Sequence, residues 1–248
     1  MPVTQDPPRA GIFLDIDGTL APIVGRAEDA HVPEKTSVLL GGIARRYGCV
    51  ACVSGRAAAE ARRLVGVGGI VYAGSHGAEL LEPGSSKAIV LPAFADWAPR
   101  VQEFVRARDE RDVRLLRVRI EDKGPIVALH WRGVPDEDAA RTRLEGVAQE
   151  AEDEGLAIHW GRKVLEIRPP VEVNKGQAVT ELARRHDLQA ALFAGDDATD
   201  LDAFDALDAL PAAVRVGVRS DEGPAAIVER ADLVVDGPEG FAAVLEAL

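Results

Sequence analysis

Two carboxylates one residue apart close the first apolar run of the chain, Phe13-Leu14-Asp15-Ile16-Asp17-Gly18-Thr19-Leu20-Ala21-Pro22. Like charges that close repel, and burying either one unpaired costs on the order of several kcal/mol. A cation is the natural compensation. Calcium in an EF-hand loop is excluded, because Phe13 stands where an oxygen ligand two residues before Asp15 is required. Mg²⁺, a hard ion that favours carboxylate, carbonyl, water and phosphate oxygens, fits these residue types. On that reading Asp15 is a metal ligand and a nucleophile toward phosphorus. Asp17 is the general acid and base, protonating a leaving oxygen and then activating water.

Three further stretches fit the same chemistry. Ser54-Gly55-Arg56 offers a hydroxyl to a phosphate oxygen. Lys175, opening a helical pattern, supplies a point charge for a phosphoryl group beside a helix N-terminus. Asp196 and Asp197 add carboxylates to a metal shell, and Asp200, about one turn later, is placed to orient one of them. Taken singly, each has an ordinary structural reading as a turn, an exposed helix charge or an N-cap. Together they fall where one active site would need them.

The elements that would position these groups are short apolar runs alternating with helical patterns, the signature of a parallel βα sheet. Strands are expected at Ile12–Leu14, Cys49–Val53, Ile70–Ala73, Ala190–Ala194, Val214–Val218 and Leu233–Val235. The first, second and fourth end at Asp15, Ser54 and Asp196, and the third at Gly74-Ser75-His76-Gly77. Ligands of open α/β sheets bind beyond the carboxyl ends of strands, so these termini imply one shared crevice. Residues 92–170 differ in texture. A helical pattern from Phe94 to Arg111 leads into strand patterns at Arg114–Gly124 and Pro125–Gly133, then a helix from Pro135 to Gly155, then Ala157–Gly161 and Lys163–Pro169. This reads as an α+β domain inserted between two parts of a doubly wound Rossmann-like core, residues 1–91 and 171–248.

With 248 residues, 47% of them hydrophobic, the chain can bury a sizeable core. Its formal charge of -12 argues against a nucleic-acid or anionic-membrane surface. No apolar stretch reaches the ~20 residues of a membrane span. The polar opening MPVTQDPPRA reads as a disordered lead-in rather than a signal peptide, and the cytoplasm is the default location. Cys49 and Cys52 form C-x-x-C, but two thiols cannot make a four-thiolate zinc site, and strand positions i and i+3 face opposite ways. Buried structural thiols are expected. No G-x-G-x-x-G follows the first strand, which disfavours a dinucleotide oxidoreductase.

Asp15-x-Asp17-Gly18-Thr19-Leu20, Ser54-Gly55-Arg56, Lys175-Gly176 and Gly195-Asp196-Asp197 together resemble the four motifs of the haloacid dehalogenase-like (HAD) phosphatases. The inserted segment sits where that superfamily carries its larger cap. Within it, Glu121-x-Lys123, His130-x-Arg132 and Leu165-Glu166-Ile167-Arg168-Pro169 make the chain similar to trehalose-6-phosphate phosphatases. The resemblance implies hydrolysis of trehalose 6-phosphate through an aspartyl-phosphate. Asp15, Asp17 (by its carbonyl) and Asp196 would hold Mg²⁺, and Asp15, Asp17, Ser54, Gly55 and Lys175 would bind the phosphoryl group. Arg56, Glu121, Lys123, Arg132 and Glu166 would contact the sugar, with Asp197 and Asp200 behind the metal. A small-molecule sugar phosphate is the expected partner, and a monomer the expected state. Leu201 departs from the family, which usually carries Glu there, and leaves pseudotrehalose, sucrose or mannosylglycerate phosphates as alternative substrates. A non-catalytic sugar-phosphate-binding module is disfavoured by the retained nucleophile.

Overall fold

A computed structural model of the protein describes residues 1–24, 29–108, 111–172, 174–220 and 223–248, with residues 111 and 112 described by backbone alone. The chain forms two compact units, one made of Met1–Ile89 with Val173–Leu248 and one made of Val90–Glu172.

In the first unit the apolar runs become β1 (Ala10–Leu14), β2 (Cys49–Val53), β3 (Val71–Gly74), β10 (Ala190–Gly195), β11 (Ala212–Arg219) and β12 (Leu233–Asp236). Two short strands not anticipated from the sequence, β4 (Glu79–Leu81) and β5 (Ile89–Val90), extend one edge. The sheet order is β12-β11-β10-β1-β2-β3-β4-β5. The pairs from β12 to β3 run parallel, and β4 returns antiparallel to β3. The continuous apolarity of β1, β2 and β10, all buried, is what a strand covered on both faces requires.

Helices α1 (Glu34–Ile43), α2 (Ala58–Val65), α7 (Lys175–Arg185), α8 (Leu201–Ala206), α9 (Ala225–Arg230) and α10 (Gly237–Glu246) belong to this unit. One sheet face presents Ile12, Leu14, Val50, Cys52, Leu192 and Val216 to Leu40 and Ile43 of α1, Ala61 and Val65 of α2, and Phe241 and Leu245 of α10. On the other face Phe193 of β10 meets Phe204 of α8 edge-on, ring centroids 6.1 Å apart.

The opening residues correct the expectation of a disordered lead-in. They form two 3-10 turns, Pro2–Thr4 and Pro7–Arg9, with Val3 fully buried in the core. Gly48 donates its N–H to Pro7 O at 2.9 Å, and Gln189 donates to Arg9 O at 2.8 Å. One apolar side chain among polar neighbours has no period, so the sequence could not signal that it docks. Cys49 and Cys52 are free and buried. Burial pushes the Cys49 thiol up to about 12 and Cys52 higher still.

The second unit contains α3 (Pro92–Ala95), α4 (Ala98–Arg108), α5 (Arg111–Leu115), β6 (Arg119–Asp122), β7 (Val127–His130), α6 (Glu137–Asp153), β8 (Ala157–Gly161) and β9 (Val164–Arg168). Its strands form an antiparallel sheet in the order β6-β7-β9-β8. Val127, Leu129, Leu165 and Ile167 pack against Val101, Phe104 and Val105 of α4 and Leu144 and Val147 of α6. The strand expected from Arg114 begins only at Arg119, because residues up to Leu115 complete a helical turn. Of the helix expected from Phe94 to Arg111, residues 109 and 110 lie outside the described residues. Among the described residues no helix is long and apolar enough to cross a membrane.

Candidate active site

The carboxyl ends of β1, β2 and β10 lie side by side, since Leu14 is in register with both Cys52 and Ala194. Asp15, Ser54 and Asp196 therefore emerge at neighbouring strand ends. Asp15 N donates to Ala194 O at 2.9 Å, which ties the start of its loop to β10. The loop then turns tightly, with the N–H groups of Thr19, Leu20 and Ala21 all directed to Ile16 O. Gly18 takes φ +87°, and a Cβ there would run into the Asp196 carboxylate. Glycine is required on both counts.

Four ionisable groups are almost fully enclosed here: Asp15 is 4% exposed, Asp196 3%, Lys175 3% and Asp200 0%. Lys175 is the first residue of α7, whose N-cap Asn174 accepts from Gln177 N at 2.9 Å. Its Nζ donates to Asp15 Oδ1 at 2.7 Å and Asp200 Oδ1 at 2.6 Å. The other oxygen of Asp200 accepts the N–H groups of Asp196 and Asp197, both at 2.9 Å. Thr19 Oγ1 donates to Asp196 Oδ1 at 3.3 Å.

One ammonium cannot neutralise three buried carboxylates. Burial, reinforced by Asp200 and Asp196, raises Asp15 well above the usual carboxylate range despite Lys175. Burial and then Asp200 push Asp196 up to about 7. Burial works against the charged form of Lys175 too, but Asp15 and Asp200 outweigh it and raise its pKa. Single oxygens of Asp15, Asp196 and Asp200 all fall within 4.8 Å of one another. An all-oxygen, buried, net-negative donor set suits a hard divalent cation, so these residues fit Mg²⁺. Asp200 differs from the other two, because its oxygens already serve Lys175 and two backbone amides. Asp197 turns its carboxylate to Ala198 N at 2.6 Å, capping the next turn.

Beside this cluster, the backbone of Ser54 is held by its neighbours. Its N–H donates to Ala73 O at 2.9 Å, and its carbonyl accepts His76 N at 2.9 Å. Ser75 N donates to Arg56 O at 2.8 Å. To make these bonds both Ser75 (φ 51°) and His76 (φ 59°) adopt the left-handed conformation, a strain of about 1–3 kcal/mol each. The phosphate-binding candidates Ser54 and Gly55 are thus braced by the loop after β3. Arg56 points its guanidinium at Asp17, with Nε–Oδ2 and Nη2–Oδ1 both 2.7 Å.

The remaining candidates, Glu121, Lys123, Arg132 and Glu166, lie in the second unit. Strand register puts Glu121, Ala128, Glu166 and His159 in one lateral row, so the small Ala128 separates two carboxylates. Glu121 Oε2 faces His130 Nε2 at 2.7 Å, and this hydrogen bond holds Glu121 below the usual carboxylate range against partial burial. Lys123 Nζ donates to Glu166 Oε1 at 3.0 Å, and Arg168 Nε donates to Glu166 Oε2 at 3.0 Å. Arg132 is separate. It is exposed on the turn after β7, and its Nη2 donates to Arg162 O at 3.2 Å.

Sequence reasoning did not find the Lys175–Asp200 pair or the part of Glu60, which meets Arg56 Nη1 at 2.5 Å. Glu60 did carry a signal, the helical i,i+4 spacing from Arg56.

The doubly wound sheet with its inserted α+β unit is the fold of the haloacid dehalogenase-like hydrolases, and here an acidic cluster sits at its strand ends. A solved member from Bacteroides thetaiotaomicron shares the fold, with TM-score 0.66 and 15% identity over 96% of this chain and 98% of that one. A structure described as a trehalose-6-phosphate phosphatase related protein matches with TM-score 0.73 and 25% identity over 96% of each chain. The profile of the trehalose-phosphatase family matches residues 13–230. The trehalose-phosphate phosphatase of Mycolicibacterium paratuberculosis is 34% identical over 96% of this chain and 61% of its own length. The chain belongs to the trehalose-phosphatase family. It spans between 15% and 61% of the length of the first curated relatives it matches.

Proposed function

We propose that this chain is a Mg²⁺-dependent phosphatase that releases phosphate from trehalose 6-phosphate, acting in the cytoplasm. The observation that carries the reading is the enclosed cluster of Asp15, Asp196, Asp200 and Lys175, whose negative excess suits a divalent cation and whose lysine suits a phosphoryl group. Asp15, the Asp17 carbonyl and Asp196 would hold Mg²⁺, which supplies charge neutralisation between nucleophile and phosphate. The protein's own groups divide the remaining work. Asp15 forms the bond to phosphorus, Asp17 gives its proton to the leaving sugar oxygen, and Ser54 and Lys175 hold the phosphoryl oxygens. Water then attacks the aspartyl-phosphate as Asp17 takes back a proton.

Glu121, Lys123, Arg132 and Glu166 are assigned to the disaccharide. Carboxylates and cations flanking Ala128 offer acceptors and donors to sugar hydroxyls. Leu201, which opens α8 just after Asp200, supports a second reading in which the same chemistry serves a related disaccharide phosphate.

The test is phosphate release, with Mg²⁺ and with chelator, from trehalose 6-phosphate beside sucrose, mannose and glucose 6-phosphates. Mg²⁺-dependent preference for trehalose 6-phosphate is expected. Turnover of an aryl phosphate but not of trehalose 6-phosphate would favour the second reading. Binding of Mg²⁺ without any turnover would overturn both.

A further inference from the structure

Arg56 grips the carboxylate assigned to proton transfer. Its Nε and Nη2 each lie 2.7 Å from a different oxygen of Asp17, while Nη1 lies 2.5 Å from Glu60 Oε1. The Arg56 side chain is 11% exposed and that of Asp17 40% exposed, so the clamp is anchored on the enclosed side and reaches toward the open one. A planar guanidinium holding both oxygens fixes the plane and rotation of the carboxylate, which a lysine could not do.

The clamp is itself held. Arg56 N donates to Ser54 Oγ at 3.2 Å. Glu60 lies one helical turn further along, in α2, and the start of that helix is pinned by Ala58 N donating to the buried Glu79 Oε1 at 2.7 Å. A rigid path therefore runs from β4 through α2 and Glu60 to Arg56 and Asp17.

We propose that Arg56 and Glu60 are positioning residues for the proton transfer, and that Arg56 does not read the sugar. In the first step an Asp15 oxygen bonds to phosphorus, the ester P–O bond breaks, and the proton on Asp17 passes to the leaving oxygen. Each carboxylate oxygen engaged by the guanidinium keeps a second lone pair, which can carry that proton. Asp17 can thus pass its proton while Arg56 holds its plane and rotation. Glu60 keeps Arg56 paired and aimed while it does so, and the inference rests on the phosphatase reading above.

The test is kcat/KM for wild type, Glu60→Ala, Glu60→Gln and Arg56→Lys on aryl monophosphates of increasingly basic leaving group, ending with an alkyl phosphate. A misplaced acid matters most where the leaving oxygen most needs a proton. Glu60→Ala is expected to lose about tenfold on the alkyl phosphate and less than about twofold on the most acidic phenol, with Arg56→Lys losing about a hundredfold and about fivefold respectively. Glu60→Gln, which still accepts an N–H, is expected to recover most of the loss and keeps the test valid should Glu60→Ala fold poorly. Equal loss across the series would show a structural role and overturn the clamp. So would a loss confined to a sugar phosphate, which would return Arg56 to sugar recognition. A wild-type chain inactive on every ester would overturn the phosphatase reading itself, and the clamp with it.

Discussion

Both units bury charge, and they compensate it differently. In the core, Lys175 stands against Asp15, Asp196 and Asp200, and negative charge is left over. In the inserted unit, Glu166 is shared by Lys123 and Arg168, and Glu121 is matched to His130. The imbalance marks a place suited to a cation, and chemistry needs such a place. The balanced cluster marks a surface whose groups can exchange partners with neutral hydroxyls without creating an orphaned charge. Local charge balance thus separates the centre proposed to transform the substrate from the surface proposed to recognise it.

The contrast can be broken most directly at the nucleophile. Asp15→Asn is expected to reduce phosphate release by at least about 10⁴-fold while Mg²⁺-free unfolding in urea shows a folded chain. Turnover within tenfold of wild type would remove Asp15 from its assigned role. Removing Lys175 from the cluster comes next. Lys175→Met is expected to cost about 3–5 kcal/mol in chelator, because it strands buried carboxylates, whereas Lys123→Met is expected to cost less than about 2 kcal/mol, since Arg168 still holds Glu166. Equal costs in urea titrations would erase the distinction between the two clusters.

Protons should act on the units in opposite directions. Asp196 lies above its unfolded value, so it contributes a penalty that grows as pH rises from the ordinary carboxylate range toward about 7. The chelated core is therefore expected to gain stability on acidification from pH 8 to 5, and apparent Mg²⁺ affinity to fall about tenfold per pH unit below 7, as read by calorimetry. Glu121 lies below its unfolded value, so its contribution is present above the ordinary carboxylate range and lost as pH falls through its folded value. That loss is expected to be under about 1 kcal/mol for so accessible a pair, visible as acid sensitivity that His130→Leu, which removes the donor, reduces. The sugar assignment gives a further check. Glu166→Ala is expected to raise KM for trehalose 6-phosphate about tenfold and leave an aryl phosphate within about twofold. A matched rise on both esters would refute a part in sugar recognition.

The sequence revealed most where one residue's type carried the whole message. Uniform apolarity disclosed β1, β2 and β10, and an abrupt Asp or Ser after each disclosed the crevice end. It failed where meaning depended on a partner far along the chain. Asp200 reads as a carboxylate placed to orient its acidic neighbours, but its contact with Lys175 is visible only in the fold. Glu79 looks like a surface residue, yet it is buried because it caps α2, and so β4 escaped notice. Val3 has no periodic neighbours to declare it a core residue.

The sheet order also constrains synthesis and folding. β1 is central, yet one of its two partners, β10, is translated only after the whole inserted unit. The first edge of β1 can pair with β2 early, while the second stays open as a template throughout that interval. The inserted unit is contiguous, and even its non-sequential pair, β7 with β9, lies within that one segment, so it can complete its own core first. High contact order in one unit and low in the other predicts two refolding phases, with the slow one reporting closure of β1 against β10 and the risk of aggregation concentrated before it.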